Sequence, residues 1–463
     1  MTINVVSNNE PRRSALSTVA SITLAMLMSS GSVTQAANLL DALTLAEQSD
    51  PVYREAQAKA LAVAEGIPQA QAALWKPELS FTTGGSHVRQ DISSALAIGT
   101  GGESSFQNTD YRLNLTQPVY HQDRRIRLKQ ADQRLHQAQT ELDFAHQELI
   151  LRVAERYFEV LAAQDNLIFA QAEKESLAGQ LDQAKQRFEV GLIAITDVQE
   201  AQAGYDRAVA QEIAAENQRE NAHEALREVT GAPQTDLVPL GQELPFKKPD
   251  PDNIENWTTT ALTQNLEISA ALTATEIAEQ EIRAQSAGHY PSLDIQGSHG
   301  FSSQGGRFGQ TDIDSSDIGV RLNVPLYAGG SVVSRTRQAA HEHSAALERL
   351  EKARRAVYRE AHEAYLGIVA QISAVKALKQ AVISSSTAVE STRAGFEVGT
   401  RTTVDVVTAE RGLSQSRRDY SRARYDYVLD ILRLKKAAGT LAPPDIAVAN
   451  AWLAPTSPAA KAN

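Results

Sequence analysis

The chain has 463 residues, a formal net charge of -11 and no cysteine. The missing thiols exclude disulfides, thiolate metal sites and a lipid-modified cysteine at a mature N-terminus. The acidic balance argues against nucleic acid as a partner.

The N-terminal stretch predicts an export signal. Arg12 and Arg13 precede the apolar run Ala15 to Met28, and small residues and Thr34, Gln35 and Ala36 follow, the pattern of a secretory signal peptide over residues 1–36. Beyond it no uninterrupted apolar run reaches the roughly 18 residues of a membrane-spanning helix, so none is expected.

Residues 37–245 read as a first structural repeat. Leu43 to Ala73, rich in alanine and glutamine, predicts a helix ended by Trp75, Lys76 and Pro77. The period then changes to two: Leu79, Phe81 and Thr83 alternate with polar residues, a Gly/Ser-rich loop is expected from about Ile92 to Thr109, and Tyr111, Leu113 and Leu115 alternate again before Pro118. This is a hairpin over about residues 78–120.

From Arg124 to Val190 there is no proline and one glycine, Gly179. A continuous helix of about 67 residues would be on the order of 100 Å long, too long for a compact core. Leu128, Ala131, Leu135, Ala138, Leu142, Ala145 and Leu149 recur at alternating steps of three and four, the seam of a coiled coil. Gly191 makes a turn, and Thr196 to Val229 returns to Gly231.

A proline-rich segment, Leu237 to Pro251, leads into a second repeat over residues 246–440. Trp257 to Gly288 opens it. A hairpin over about residues 292–327 follows, with Leu293, Ile295, Gly297, a loop around Gly305 to Ser316, and Ile318, Val320, Leu322 and Val324. Ser331 to Val398 is the second long helix and Val404 to Ala438 the second return. Phe188, Glu189, Val190, Gly191, Asp197 and Val198 recur 208 positions later as Phe396, Glu397, Val398, Gly399, Asp405 and Val406, so the chain is one unit used twice. Residues 441–463, with Pro443, Pro444, Pro455 and Pro458, are expected to form a C-terminal tail.

Strands of about ten residues with one apolar face fit an outer-membrane barrel. Four strands cannot close a barrel, and an open edge in lipid leaves backbone groups unpaired, so several protomers would have to share one. The competing arrangement is a small soluble sheet at the end of a rod, as in a periplasmic coiled-coil scaffold or adaptor without a pore.

Signatures of catalysis are missing. His341, Glu342 and His343, and His362 with Glu363, lack the spacing that sets two imidazoles on one helix face. Gly99 to Gly102 and Gly329-Gly330 lack the lysine of a phosphate loop. No enzyme activity, cofactor or metal site is expected.

The two motifs running from Phe188 to Val198 and from Val398 to Val406, with the Ala437-Ala438-Gly439-Thr440-Leu441 end, resemble the two helix-turn-helix ends of the TolC family of outer-membrane efflux and secretion channels. The resemblance covers essentially the whole mature chain. It implies a mainly α fold with β: a long coiled-coil α-helical barrel plus a shared 12-stranded transmembrane β-barrel, four strands from each protomer of a homotrimer. It implies location in the cell outer membrane with a large periplasmic part. It also implies passive conduction with porin activity, outer-membrane lipid around the barrel, a periplasmic adaptor (membrane fusion protein), and an inner-membrane ABC or proton-driven transporter that supplies the energy. Type I protein secretion and multidrug efflux are both compatible with it.

Carried over residue by residue, the family's lock at the closed tunnel mouth falls on Thr196 and Asp197 as acceptors and Arg401 as donor. Phe396 stands where a tyrosine hydroxyl would contribute, so that bond is missing here. Asp405 falls on the electronegative pore constriction, while Thr408 replaces a second pore aspartate. Gly191 and Gly399 fall on the turns that face the adaptor.

Overall fold

A computed structural model describes residues 37–92, 102–241, 244–306 and 309–454. The proposed signal peptide and the last nine residues lie outside them. The first repeat begins with three short helices, α1 (Leu39–Ser49), α2 (Pro51–Ala64) and α3 (Gly66–Trp75). Strands β1 (Glu78–Ile92) and β2 (Gly102–Tyr120) follow, then α4 (Gln122–Glu189) and α5 (Ile195–Thr230). The second has α6 (Ile254–Gln264), α7 (Leu266–Ser286), β3 (Ser292–Gly306), β4 (Gly309–Asn323), α8 (Ser331–Glu397) and α9 (Thr403–Ala437), and α10 (Pro443–Ala451) closes the described chain.

Three expectations are corrected by local chemistry. The helix expected over 43–73 is broken in two places: Asp50 leaves the helical region and caps α2 through the Tyr53 N–H, with Pro51 at its first position, and Glu65 separates α2 from α3. The opening helix of the second repeat is likewise divided at Asn265, whose side chain caps α7 while its amide donates to the Ala437 carbonyl at 2.9 Å. Residues 443–451 are no tail: Pro443 and Pro444 occupy the first turn of α10, and Ile446 and Ala449 are buried in the main core.

The strands form one antiparallel sheet in the order β1-β2-β3-β4. Both hairpin loops are shorter than expected. Ile92 pairs with Gly102 and Gly306 with Gly309, so most of 102–109 and 309–316, read as loop for their glycine, serine and aspartate, belongs to the ladder. A ladder is made by backbone groups and does not require apolar side chains, which here are concentrated in the half nearest the helices and sparser beyond it.

On one face of that half lie Leu79, Phe81, Tyr111, Leu113, Leu115, Leu293, Ile295, Ile318, Val320 and Leu322, aligned by the pairings Leu79 with Leu115, Phe81 with Leu113 and Ile295 with Val320. The other face carries Ser80, Thr82, Arg112, Asn114, Gln296, Ser298 and Arg321. The apolar face is uncovered, with Ile318 84% and Val320 70% exposed. Among the described residues β1 and β4 each have one unpaired edge.

The core lies at the waist of the long helices. Leu149, Ile150, Val153, Tyr157 and Phe158 of α4 and Tyr425, Tyr427, Val428 and Leu432 of α9 pack with α1, α10 and the segment around Leu237 to Leu244. Tyr157 donates its hydroxyl to the Val238 carbonyl at 2.8 Å, and Tyr427 serves the Pro245 and Lys247 carbonyls in the same way. One stretch of α8 is, by length and composition, apolar enough to cross a membrane, contrary to the expectation drawn from uninterrupted runs. It belongs to a 67-residue helix in which Ile368, Ile372 and Val375 are buried among neighbouring helices, while most of the stretch is not buried within one chain.

Candidate gate and membrane surface

The two helical hairpins α4–α5 and α8–α9 turn at Gly191 and Gly399, with φ of +76° and +79°. A left-handed residue at that place lets the next amide reach back to the fraying carbonyls: Leu192 N–H bonds the Arg187 carbonyl at 2.8 Å, and Thr400 N–H bonds the Gly395 carbonyl at 2.8 Å. Both turns are therefore built alike, and a side chain at either glycine would strain the backbone.

Just past each turn stands an aspartate. The half-buried Asp197 accepts the Ala194 N–H through Oδ2 at 3.2 Å. Asp405 accepts the Thr402 N–H at 2.9 Å and the Thr402 hydroxyl at 3.0 Å, while Thr402 Oγ1 accepts the Asp405 N–H at 3.2 Å. Bonds from the Thr402 amide and hydroxyl hold the Asp405 carboxyl below the usual carboxylate range, and the Arg401 charge adds to them against a small desolvation cost.

Thr196 and Arg401 are exposed. Arg401 packs its stem at Gly395, where a Cβ would come 2.8 Å from Arg401 Cγ. Among the described residues Asp197 and Arg401 form no ion pair within one chain. Thr408 is exposed.

Phe396 is only 5% exposed, and what covers it was not foreseen. The Arg187 guanidinium at the end of α4 lies over its ring, with Cζ 4.6 Å from the centroid, and Nη1 donates to the Phe396 carbonyl at 3.2 Å. Further up, Arg393 of α8 pairs with the buried Glu410 of α9 and donates to Ser176 of α4 at 2.6 Å. Arg418 meets the buried Glu173 at 3.5 Å, and the Tyr425 hydroxyl donates to Asp165 at 2.7 Å. The only sequence signal for these was a polar residue on a coiled-coil face, which does not name its partner.

At the opposite end, each junction between strand and helix carries an aromatic residue: Trp75 before β1, Tyr120 at the end of β2, Tyr290 before β3 and Tyr327 after β4. Trp75, Tyr290 and Tyr327 are exposed, and Arg125 lies 5.2 Å from the Tyr120 ring centre. Amphipathic rings in that position suit a boundary between lipid and water. Among the described residues no group of His, Asp or Glu side chains is arranged to hold a metal ion.

Residues 42–232 and 257–440 match the family model described as outer membrane efflux protein. The chain is 38% identical to the outer membrane protein TolC of Vibrio cholerae over 90% of this chain and 94% of that one. It is 29% identical to the alkaline protease secretion protein AprF of Pseudomonas aeruginosa, over 89% and 86% of the two chains. The crystal structure of the CmeC outer membrane channel of Campylobacter jejuni superposes with a TM-score of 0.73, over 97% of this chain and 98% of that one at 17% identity, a likeness of fold.

Proposed function

The chain belongs to the outer membrane efflux protein family, as an export channel of the outer membrane, and from that membership we propose that three copies form a single passive duct. Four strands from each protomer close a shared barrel, and the long helices continue it as a periplasmic tunnel. A periplasmic adaptor and an inner-membrane ABC or proton-driven transporter meet the hairpin tips and drive substrate in. The kinship with TolC and with AprF makes both small-molecule efflux and type I protein secretion fitting uses of such a duct.

The observation that carries this reading is the sheet: among the described residues nothing covers its apolar face, and both of its edges lack a partner. In water such a face is an aggregation hazard, and in lipid such edges are untenable. Lipid on the face and a neighbouring protomer on each edge resolve both, and a pore-free periplasmic scaffold resolves neither.

At the tips, the reading assigns Thr196, Asp197 and Arg401 to contacts between neighbouring hairpins that keep the mouth shut, and Asp405 to the constriction on the threefold axis. Among the described residues Asp197 and Arg401 do not pair within one chain, so this reading puts their pairing at the junction between protomers.

The test is mass measurement of the protein extracted from outer membrane in mild detergent, followed by reconstitution into planar bilayers. About three chains per particle and discrete ion-conducting steps are expected. A lipid-inserted monomer, or recovery in the soluble periplasmic fraction, refutes the assembly.

A further inference from the structure

We propose that Arg187 is a gate-positioning residue, clasping the tip of α8 to the tip of α4 inside one protomer and supplying the tether for which Phe396 has no hydroxyl. This rests on the reading of the hairpin tips as the channel mouth.

The contact has two parts that act on the same residue. The planar guanidinium covers the buried ring, and one of its N–H groups reaches the carbonyl of that same Phe396. A flat, charged group that stacks and donates together fixes both the position and the rotation of its target, which an ammonium does not.

The electrostatics favour the arrangement. Phe396 lies in the last turn of α8, where unsatisfied carbonyls concentrate negative potential, and α8 has no basic residue of its own in that turn. Arg187, in the last turn of α4, supplies the missing positive charge from the neighbouring helix. The Phe396 carbonyl thus accepts from Arg187 and also from the Gly399 N–H at 3.1 Å, so the clasp is joined directly to the turn.

The internal repeat offers a control. Phe188 is the counterpart of Phe396, yet it is 41% exposed against 5%. The counterpart of Arg187 is Gly395, whose missing side chain leaves room for Arg401. Duplication alone therefore does not bury Phe396. The arginine present in one repeat, and absent from the other, accounts for the difference.

Arg187 is also the last of a series of links between α4 and the α8–α9 hairpin. Asp165 with Tyr425, Glu173 with Arg418, and Ser176 with Arg393 and Glu410 precede it toward the waist. Outward movement of the α8–α9 tip has to part Arg187 from Phe396 before it strains the others.

Purified Arg187→Gln, Arg187→Lys and Phe396→Leu proteins, and the Arg187→Gln/Phe396→Leu double variant, are compared with wild type in planar bilayers, alongside the melting midpoint of the trimer. Arg187→Gln and Phe396→Leu should each raise single-channel conductance about twofold or more with little change in melting. Arg187→Lys should give a smaller rise, and the double variant should not exceed the larger single effect. Unchanged conductance in both single variants, or single effects that multiply in the double, overturns the clasp. So does loss of the trimer in Arg187→Gln and Arg187→Lys alike, because the residue then holds the fold and not the mouth. A wild type that forms no pore refutes the channel reading itself, a separate outcome.

Discussion

Asp197 and Asp405 occupy the same place in the two repeats, and each closes the start of its return helix by accepting the amide three residues before it, from Ala194 at 3.2 Å and Thr402 at 2.9 Å. The shared task is local and would be met by either repeat alone. Their surroundings differ: Asp405 also receives a hydroxyl bond from Thr402 and the charge of Arg401, whereas Ala194 has no side-chain donor. The same carboxylate is thus free to serve a second, different role at each position once copies assemble.

For Asp197 the role proposed above is the junction with Arg401 of a neighbouring copy. An exposed ion pair contributes up to about 1 kcal/mol, so one pair is a weak bolt and threefold repetition makes it useful. Asp197→Ala and Arg401→Ser should each increase single-channel conductance, and the excess over wild type should grow as salt is lowered and the wild-type pair strengthens. Unaltered conductance in both variants would place the lock elsewhere.

Lipid contact makes a prediction about neighbouring positions on one strand. Leu113 lies on the apolar face of β2 and Asn114 on the polar one. Arginine on the lipid face costs about 2 to 4 kcal/mol near the bilayer midplane, and a lumen position bears it at little cost. Leu113→Arg should lower trimer recovery from the outer membrane sharply, whereas Asn114→Arg should assemble and alter ion selectivity. Equal tolerance of the two would mean that the faces are not divided between lipid and water.

A third prediction concerns pH. Burial pushes the Asp430 carboxyl above the usual carboxylate range, despite the Arg433 guanidinium 3.1 Å away, and Asp426 adds to the rise. A carboxyl raised in the folded state binds its proton more tightly there than when unfolded. Its contribution to stability is present below the unfolded pKa and is lost as pH rises through the folded one. Asp430→Asn should therefore stabilise the trimer at pH 8, by on the order of 1 °C in melting midpoint, and the gain should vanish near pH 4. Arg433 keeps Glu155 as a partner at 2.8 Å, which limits the loss. A variant less stable than wild type at pH 8 would show that the Arg433 bond outweighs the burial.

The periodic parts of the fold were legible in the sequence because period is what sequence displays. The seam from Leu128 to Leu149, the alternation around Leu113 and the recurrence of Phe188 as Phe396 each repeat a local rule. What escaped depended on single residues. Asp50 and Asn265 end helices inside stretches of favourable composition, and Pro443, expected within a tail, starts a helix. The serines and glycines of β2 and β4 conceal a ladder made by the backbone. At the tips, the glycine turns and capping aspartates were visible in the motif, but Arg187 was not, since its partner is 209 residues away and its repeat counterpart is a glycine.

The last prediction is that Asp405 makes the mouth selective for cations. In a threefold assembly three such carboxylates converge where the helices taper, and crowded like charges in a narrow passage attract cations and hold multivalent ones. The Thr402 bonds keep each carboxyl ionised into the acid range, while mutual repulsion works in the opposite direction. Asp405 is also a capping group, so its removal alone confuses two effects. Asp405→Asn with Thr402→Ala separates them: the first removes charge and retains an acceptor for the cap, and the second weakens the cap and retains the charge. A trivalent cation added from the periplasmic side at low salt should block wild type and Thr402→Ala but not Asp405→Asn. Block should weaken as salt rises and disappear on acidification as the carboxylates take up protons. If Asp405→Asn is blocked like wild type, Asp405 serves only the start of α9, and with Thr408 uncharged the selectivity of the mouth must come from other carboxylates of the tunnel.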